Sequence, residues 1–277
     1  MPRLILIVTL AMLAFAGNSL LCRLALRDTT IDAASFTAIR LVSGALILMA
    51  IMKARRSRPL DAGSWPAAFC LFAYAAAFSF AYRELTAATG ALLLFGAVQT
   101  AMLSWGLAKG ERLRQLQVLG LVVAVGGLVY MLLPGLSAPP IAGAAFMIAA
   151  GIAWAGYSLI GRGVTDPANA TAGNFLRSVP FAAALSLAMS IHTTVDHTGA
   201  LYAVVSGALT SGLGYVLWYA ALPSLTASAA AVIQLSVPAI AALGGVVLLA
   251  EPLSSRLVIA SVTILGGIAL TILRPRT

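Results

Sequence analysis

Apolar runs of membrane-crossing length, parted by brief polar breaks, fill this chain from residue 4 to residue 273. A helix crossing a hydrocarbon layer of ~30 Å needs ~20 apolar residues. The breaks then set helices over 4–26, 33–52, 64–82, 85–108, 115–133, 141–161, 171–191, 201–222, 224–249 and 255–273. The separators are plain at 53–63, 109–114, 134–140, 162–170 and 192–199, and faint at Arg83-Glu84, at Pro223 and between the first two helices. The pattern predicts an all-α, polytopic membrane protein of ten helices.

The sequence also repeats itself. Residues 14–23 read AFAGNSLLCR and residues 153–162 read AWAGYSLIGR, agreeing at Ala14/Ala153, Ala16/Ala155, Gly17/Gly156, Ser19/Ser158, Leu20/Leu159 and Arg23/Arg162. Glu111-Arg112-Leu113 pairs with Glu251-Pro252-Leu253, and Gly126-Gly127 with Gly266-Gly267. A constant offset of about 140 residues is what a duplicated half produces. We expect one repeat over 1–138 and a second over 139–277, together forming one transport unit. Five helices per half is an odd number, so the second repeat is expected to enter the membrane inverted, with a substrate site between the halves near the midplane. The opening segment, Arg3 followed by an apolar run and Ala14-Phe15-Ala16, imitates a cleavable signal. Removing it would destroy one partner of the matched motifs, so it is read as the first helix.

Composition agrees with the pattern: 61% of residues are hydrophobic and 9% charged, and mean hydropathy is +1.01. The net charge of +9 does not point to nucleic acid, because the basic residues flank apolar runs without interleaved aromatics. Alternating the loops places Arg3, Lys53, Arg55, Arg56, Arg58, Lys109, Arg112, Arg114, Arg162, Arg274 and Arg276 on one side, against Arg23, Arg27, Arg83 and Arg256 on the other. Lysine and arginine in short loops mark the cytoplasmic face, which puts both termini there. Cys22 and Cys70 lack metal-ligand spacing, His192 and His197 read as surface residues, and no cofactor or metal site is expected. An intramembrane enzyme would need a nucleophile and base, or a metal cluster, at depth. None is legible, so no catalytic residue is assigned.

The paired FAGNS…R and WAGYS…R segments, the GERL element at Gly110–Leu113 with its AEPL counterpart at Ala250–Leu253, and the final GG-containing helices resemble the drug/metabolite transporter superfamily. Within it the chain looks like the two-repeat EamA type, and its length and aromatic helices are most similar to the YddG-type exporters. That resemblance implies a multi-pass carrier in a bacterial inner membrane, exporting neutral or aromatic amino acids. Broader drug or metabolite export on the same fold, a passive channel, and a lipid-handling role stay open. The expected partners are a small-molecule substrate and membrane lipid, and a monomer is compatible with the sequence. One departure stands out: the family often carries proline in the fourth and ninth helices. Here Pro238 fits the ninth, while the matching stretch of the fourth has Gln99.

Candidate substrate-binding residues follow from cost. An ionisable group at bilayer depth costs ~2.5–3.5 kcal/mol on insertion scales. Arg40 and Arg177 alone qualify, at comparable depth in the second and seventh helices. One or both attract a substrate carboxylate or pin a gate, or else they snorkel to the interface or hydrogen-bond backbone carbonyls at helix breaks. No aspartate or glutamate lies deep in a span, which disfavours a cation/proton antiporter. Asn18, Ser19, Ser79, Gln99, Tyr157, Ser158 and Gln234 offer neutral dipoles for polar head groups; the alternative for each is an interhelical hydrogen bond. Tyr74, Phe78 and Tyr82 share one face at i, i+4 and i+8, Tyr215, Trp218 and Tyr219 share another, and Trp154 stands beside Tyr157. Such rings suit an apolar or aromatic side chain. Trp65, Trp105 and Tyr202 sit at span ends, as interfacial anchors do.

Overall fold

The computed structural model describes residues 2–58, 61–110, 115–135, 138–161, 164–221, 224 and 233–272. The chain forms α1 (Pro2–Asp28), α2 (Ala33–Ala54), α3 (Trp65–Tyr82), α4 (Ala87–Ala108), α5 (Gln115–Leu132), α6 (Ile141–Ile160) and α7 (Pro167–Ala188). An eighth rod, α8, joins His197–Val205, a π-helical segment Ser206–Leu213 and Gly214–Ala221. α9 (Ser236–Leu249) and α10 (Ser255–Ile272) complete the bundle. No strand occurs among the described residues. Seven of the helices are long and apolar enough to cross a membrane, and α9 and α10 are shorter apolar helices. α7 falls outside that group because Asn169, Asn174, Arg177 and Ser178 dilute its apolar surface. Outward-facing Leu46, Val122, Leu187, Val247 and Val262 are each more than 60% exposed. Apolar side chains turned outward on this scale find their solvent in lipid, so the protein is multi-pass.

Two helices begin four residues earlier than their hydropathy indicates. Asp166 accepts the Asn169 N–H ahead of Pro167, and Asp196 accepts the Gly199 N–H. An N-cap carboxylate and a proline in the first turn start a helix in polar sequence where hydropathy is silent. Asp32 caps α2 in the same way, with its Oδ1 accepting from Ala34 and Ser35, and its Oδ2 reaches across to the Thr194 N–H at 2.9 Å. Burial alone pushes this carboxyl up, but the hydrogen bonds from Ser35, Thr194 and Ala34 outweigh burial and hold it below the usual carboxylate range. A depressed folded-state value means the stabilisation is present above the unfolded value and is lost as pH falls through the folded one. Asp32→Ala is expected to cost ~1–2 kcal/mol at neutral pH. Thermal unfolding at pH 7 and near pH 3 checks this, since the difference from the parent should shrink in acid.

Contacts at the helix ends fix the traverse. α1 finishes where Arg27 donates to the Leu249 carbonyl at 2.8 Å. The same end holds Glu84 accepting from Gly143 at 3.0 Å, Arg256 donating to the Leu133 carbonyl, and the Asp32–Thr194 link. The turns after α1, α3, α5, α7 and α9 therefore gather at what we term the far end. The near end carries the start of α1, and there Ser64 donates to the Asn174 Oδ1 at 2.8 Å.

Packing pairs the helices reciprocally. α5 lies along α10 and α2 along α7, while α3 and α4 pack on α6 as α8 and α9 pack on α1. A Cβ on Gly267 would stand 2.5 Å from the Ala124 nitrogen, and one on Gly127 would stand 2.5 Å from the Thr263 Oγ1. The α5–α10 contact is thus a close backbone approach that these two glycines permit.

Candidate functional site

The centre of the bundle holds a nearly closed chamber. It is lined by Phe15, Asn18 and Ser19 of α1, Tyr74 and Phe78 of α3, Leu94 and Phe95 of α4, Trp154 of α6, Thr210 and Tyr215 of α8, and Gln234 just before α9. Its volume is about 20 Å³, room for roughly one water. Aromatic rings make its walls: Trp154 meets Tyr74 at 4.8 Å and Tyr215 at 5.1 Å between centroids, and Phe15 meets Tyr215 edge-on at 5.8 Å.

Behind Tyr74 and Phe78 lies Arg40, 1% exposed. Its guanidinium carbon is 5.2 Å from the Tyr74 ring centroid and 5.0 Å from that of Phe78. Nε donates to the Ser211 Oγ at 3.2 Å and one terminal nitrogen donates to the Tyr74 Oη at 3.4 Å. The other terminal nitrogen, Nη1, is buried and has no hydrogen-bond partner among the described residues. No carboxylate pairs with Arg40 among them either. A buried charge left uncompensated is costly and therefore points to a ligand or a mechanism.

A polar chain continues from it. Asn18 donates to the Tyr74 Oη at 3.3 Å, its Oδ1 accepts from Ser206 at 2.6 Å, and the Thr210 hydroxyl, which donates to the Ser206 carbonyl at 2.8 Å, stands beside it at 3.3 Å. The Tyr74 oxygen thus accepts twice and keeps its proton to give. The hydroxyls of Ser206, Thr210 and Ser211 converge because their backbone is π-helical: its i→i+5 bonding widens the turn and brings all three to the face that meets α1 and α2. The wide turn needs room against α2, and Gly207 supplies it. A Cβ there would collide with the Arg40 carbonyl oxygen and the Ser43 Oγ. Gly207→Ala is expected to cost ~1–3 kcal/mol by overpacking. Gly126→Ala, whose Cβ meets nothing within 4 Å, is the neutral control, and detergent melting curves check the pair.

The chamber is shut differently at its two ends. Towards the near end a cavity of about 470 Å³ opens, lined by Asp61, Ser64, Tyr157, Asp166, Thr171 and Asn174 among others. Trp154 of the chamber wall and Tyr157 of this cavity's wall are in ring contact, 5.5 Å between centroids. At the far end Glu251, 7% exposed, accepts from the Arg23 Nε at 2.9 Å and from the Ala87 N–H at 2.8 Å. Arg23 also donates to the Tyr82 and Arg83 carbonyls at 2.9 and 3.2 Å. One ion pair therefore clamps α1, the α3–α4 turn and the segment after α9.

Of the residues singled out in the sequence, Asn18, Ser19, Tyr74, Phe78, Trp154, Tyr215 and Gln234 line the chamber, and Arg40 backs it. Tyr157 lines the near-end cavity instead, its hydroxyl 3.4 Å from that of Thr171. Tyr82 belongs to the far-end closure, where its hydroxyl donates to the Ala87 carbonyl at 3.4 Å. Ser158 turns back to the Trp154 carbonyl at 2.8 Å, Gln99 lies partly buried a turn beyond Phe95, and Trp218 packs on Phe15 at 6.0 Å. Arg177 takes the backbone alternative, donating to the Ala62 and Gly173 carbonyls. The Tyr219 side chain, Arg112, Pro223 and the matched residues Glu111 and Arg162 lie outside the described residues. Sequence reasoning missed Thr210 and Ser211, for which the glycine-rich run SGALTSGLG at 206–214 was the available signal. It read Glu251 as part of a repeated motif outside the spans and gave it no partner.

Comparison with known proteins gives these features a setting. The model of the EamA-like transporter family matches twice, over residues 2–133 and 141–273. An uncharacterized protein of Pseudomonas aeruginosa is 58% identical over 275 residues, covering 99% of this chain and 96% of that protein. An uncharacterized transporter of Archaeoglobus fulgidus is 26% identical over 282 residues, covering 96% of each chain. YwfM of Bacillus subtilis, also an uncharacterized transporter, is 28% identical over 231 residues, covering 79% of this chain and 77% of its own. A crystal structure of a protein 20% identical superposes with a TM-score of 0.65 over 96% of each chain, a likeness of fold alone. With its membrane helices and two matches to one transporter family, the chain belongs to the EamA-like transporter family.

Proposed function

We propose that this membrane transporter is an alternating-access exporter of small carboxylate-bearing metabolites, a class that includes the neutral and aromatic amino acids. Substrate binds between two inverted five-helix halves, residues 1–138 and 139–277. The observation that carries the reading is Arg40: a buried guanidinium with an unpartnered nitrogen beside an aromatic chamber. The two family matches and the reciprocal packing support the halves, as does the opposite entry of α1 and α6, which start at different ends. Asymmetric closure supports alternating access, because a ring contact joins the chamber wall to the near-end cavity while an ion pair clamps the far end. Exchange between two such closures moves a solute without a continuous pore. The excess of lysine and arginine at the near end supports a cytoplasmic placement for that end and both termini, in a bacterial inner membrane.

Counterflow of labelled threonine, methionine and phenylalanine in proteoliposomes, with and without a proton gradient, tests this function. Saturable exchange is expected for at least one of them. Passage that never saturates, or transport only of solutes without a carboxylate, would overturn it.

A further inference from the structure

The chamber's charge balance narrows the substrate beyond the proposed class, and the narrowing rests on the reading of this chamber as the transport site. Arg40 brings one full positive charge to its wall, 1% exposed and without a carboxylate partner among the described residues. Every acidic residue among those described, Asp28, Asp32, Asp61, Glu84, Asp166, Asp196 and Glu251, falls at a helix end or in a connection. The deepest of them by burial, Glu251, is already bound to Arg23 and the Ala87 N–H.

A zwitterion entering this chamber leaves the net charge at its original value, because its ammonium replaces the positive charge that its carboxylate cancels. A monoanion brings the sum to zero. In a low-dielectric site that difference is large compared with any single neutral hydrogen bond. The polar groups lean the same way. The Asn18 Oδ1 already accepts from Ser206, and Thr210 spends its one proton on the Ser206 carbonyl, while the Tyr74 hydroxyl accepts from Asn18 and Arg40 and keeps a proton to donate. Ser19 and Gln234 offer an ammonium neutral acceptors only. The rings of Phe15, Phe78, Trp154 and Tyr215 offer the rest of the ligand an apolar face.

We propose that the chamber selects by net charge, taking small aromatic or branched aliphatic monocarboxylates in preference to the zwitterionic amino acids that share their carbon skeletons. Tyr74 donates to the carboxylate and Arg40 neutralises it as the walls part to admit the ligand.

Three probes with one phenyl body separate the possibilities: 3-phenylpropanoate, phenylalanine and 2-phenylethylamine, bound to the purified protein at pH 7 and followed by calorimetry. The expected order is phenylpropanoate tightest, phenylalanine weaker by ~10-fold or more, and the amine unbound. Arg40→Met removes the order. Tyr74→Phe, which keeps the charge and the ring, retains it with affinity lowered a few-fold. Phenylalanine binding as tightly as phenylpropanoate, or an order that persists in Arg40→Met, overturns the charge rule and leaves carriage of carboxylates standing. Failure of all three to bind, while a solute without a carboxylate exchanges in proteoliposomes, overturns the rule together with the proposed function, and so tells the two failures apart.

Discussion

Arg40→Met is expected to reduce transport by ~100-fold or more while leaving the purified protein as stable as its parent, or more so. The two effects part because the guanidinium has no counter-charge. A charge at bilayer depth costs ~2.5–3.5 kcal/mol even on lenient insertion scales, and here it recovers two long hydrogen bonds, 3.2 Å to Ser211 and 3.4 Å to Tyr74, plus two ring contacts. Methionine fills the same slot between Tyr74, Phe78 and the π-helical segment without that cost. A purely structural arginine behaves in the opposite way, and its loss would lower the melting temperature roughly in step with activity. Melting curves beside counterflow rates decide between them. A variant that is much less stable yet transports normally would remove Arg40 from the site.

The second large effect is expected at the far end. Glu251→Ala removes one partner of a pair whose side chains are 12% and 6% exposed, stranding the Arg23 charge and orphaning the Ala87 N–H. Breaking a buried pair from one side costs ~3–5 kcal/mol, whereas replacing both partners with apolar groups is close to neutral. Glu251→Ala should therefore be the more damaging variant, and Arg23→Met/Glu251→Ala should recover about half of the loss. A double-mutant cycle on chemical unfolding measures the coupling. Strictly additive losses would mean that the far-end closure does not depend on this pair. The same variants report on the traverse, since a far end released from α1 admits impermeant thiol reagents to a cysteine placed at Thr210 from that side.

Much of this was legible in the order of residues. Ten apolar runs gave the ten helical rods among the described residues, and the matched segments at 14–23 and 153–162 gave Asn18, Ser19 and Trp154, which line the same central space. Arg40 stood out because nothing else charged lies so deep in the first half. Arg177 resembled it in every property that a sequence records, yet its guanidinium ends on the Ala62 and Gly173 carbonyls and serves the connection before α3. Depth along a helix is written in the residue number; the direction of a long, flexible side chain is set by which carbonyls its neighbours leave open. Tyr82 makes the same point on the aromatic face it shares with Tyr74 and Phe78. Two helical turns of ~5.4 Å each carry it from the chamber into the far-end closure.

By itself the sequence determined the solvent of this protein, the apolar runs that become its described helices and two candidate deep positive charges, Arg40 and Arg177, because hydropathy, helix length and the cost of ionisation are local quantities. Only the tertiary structure decided which polar groups meet. The π-helical turn that aims Ser206, Thr210 and Ser211, the union of Arg23 with Glu251 across 228 residues, and the chamber that Arg40 backs without a counter-charge among the described residues all depend on helices remote in the chain being packed side by side. Hydrogen bonds and ion pairs act over a few ångströms in space, and no distance along the chain encodes that proximity.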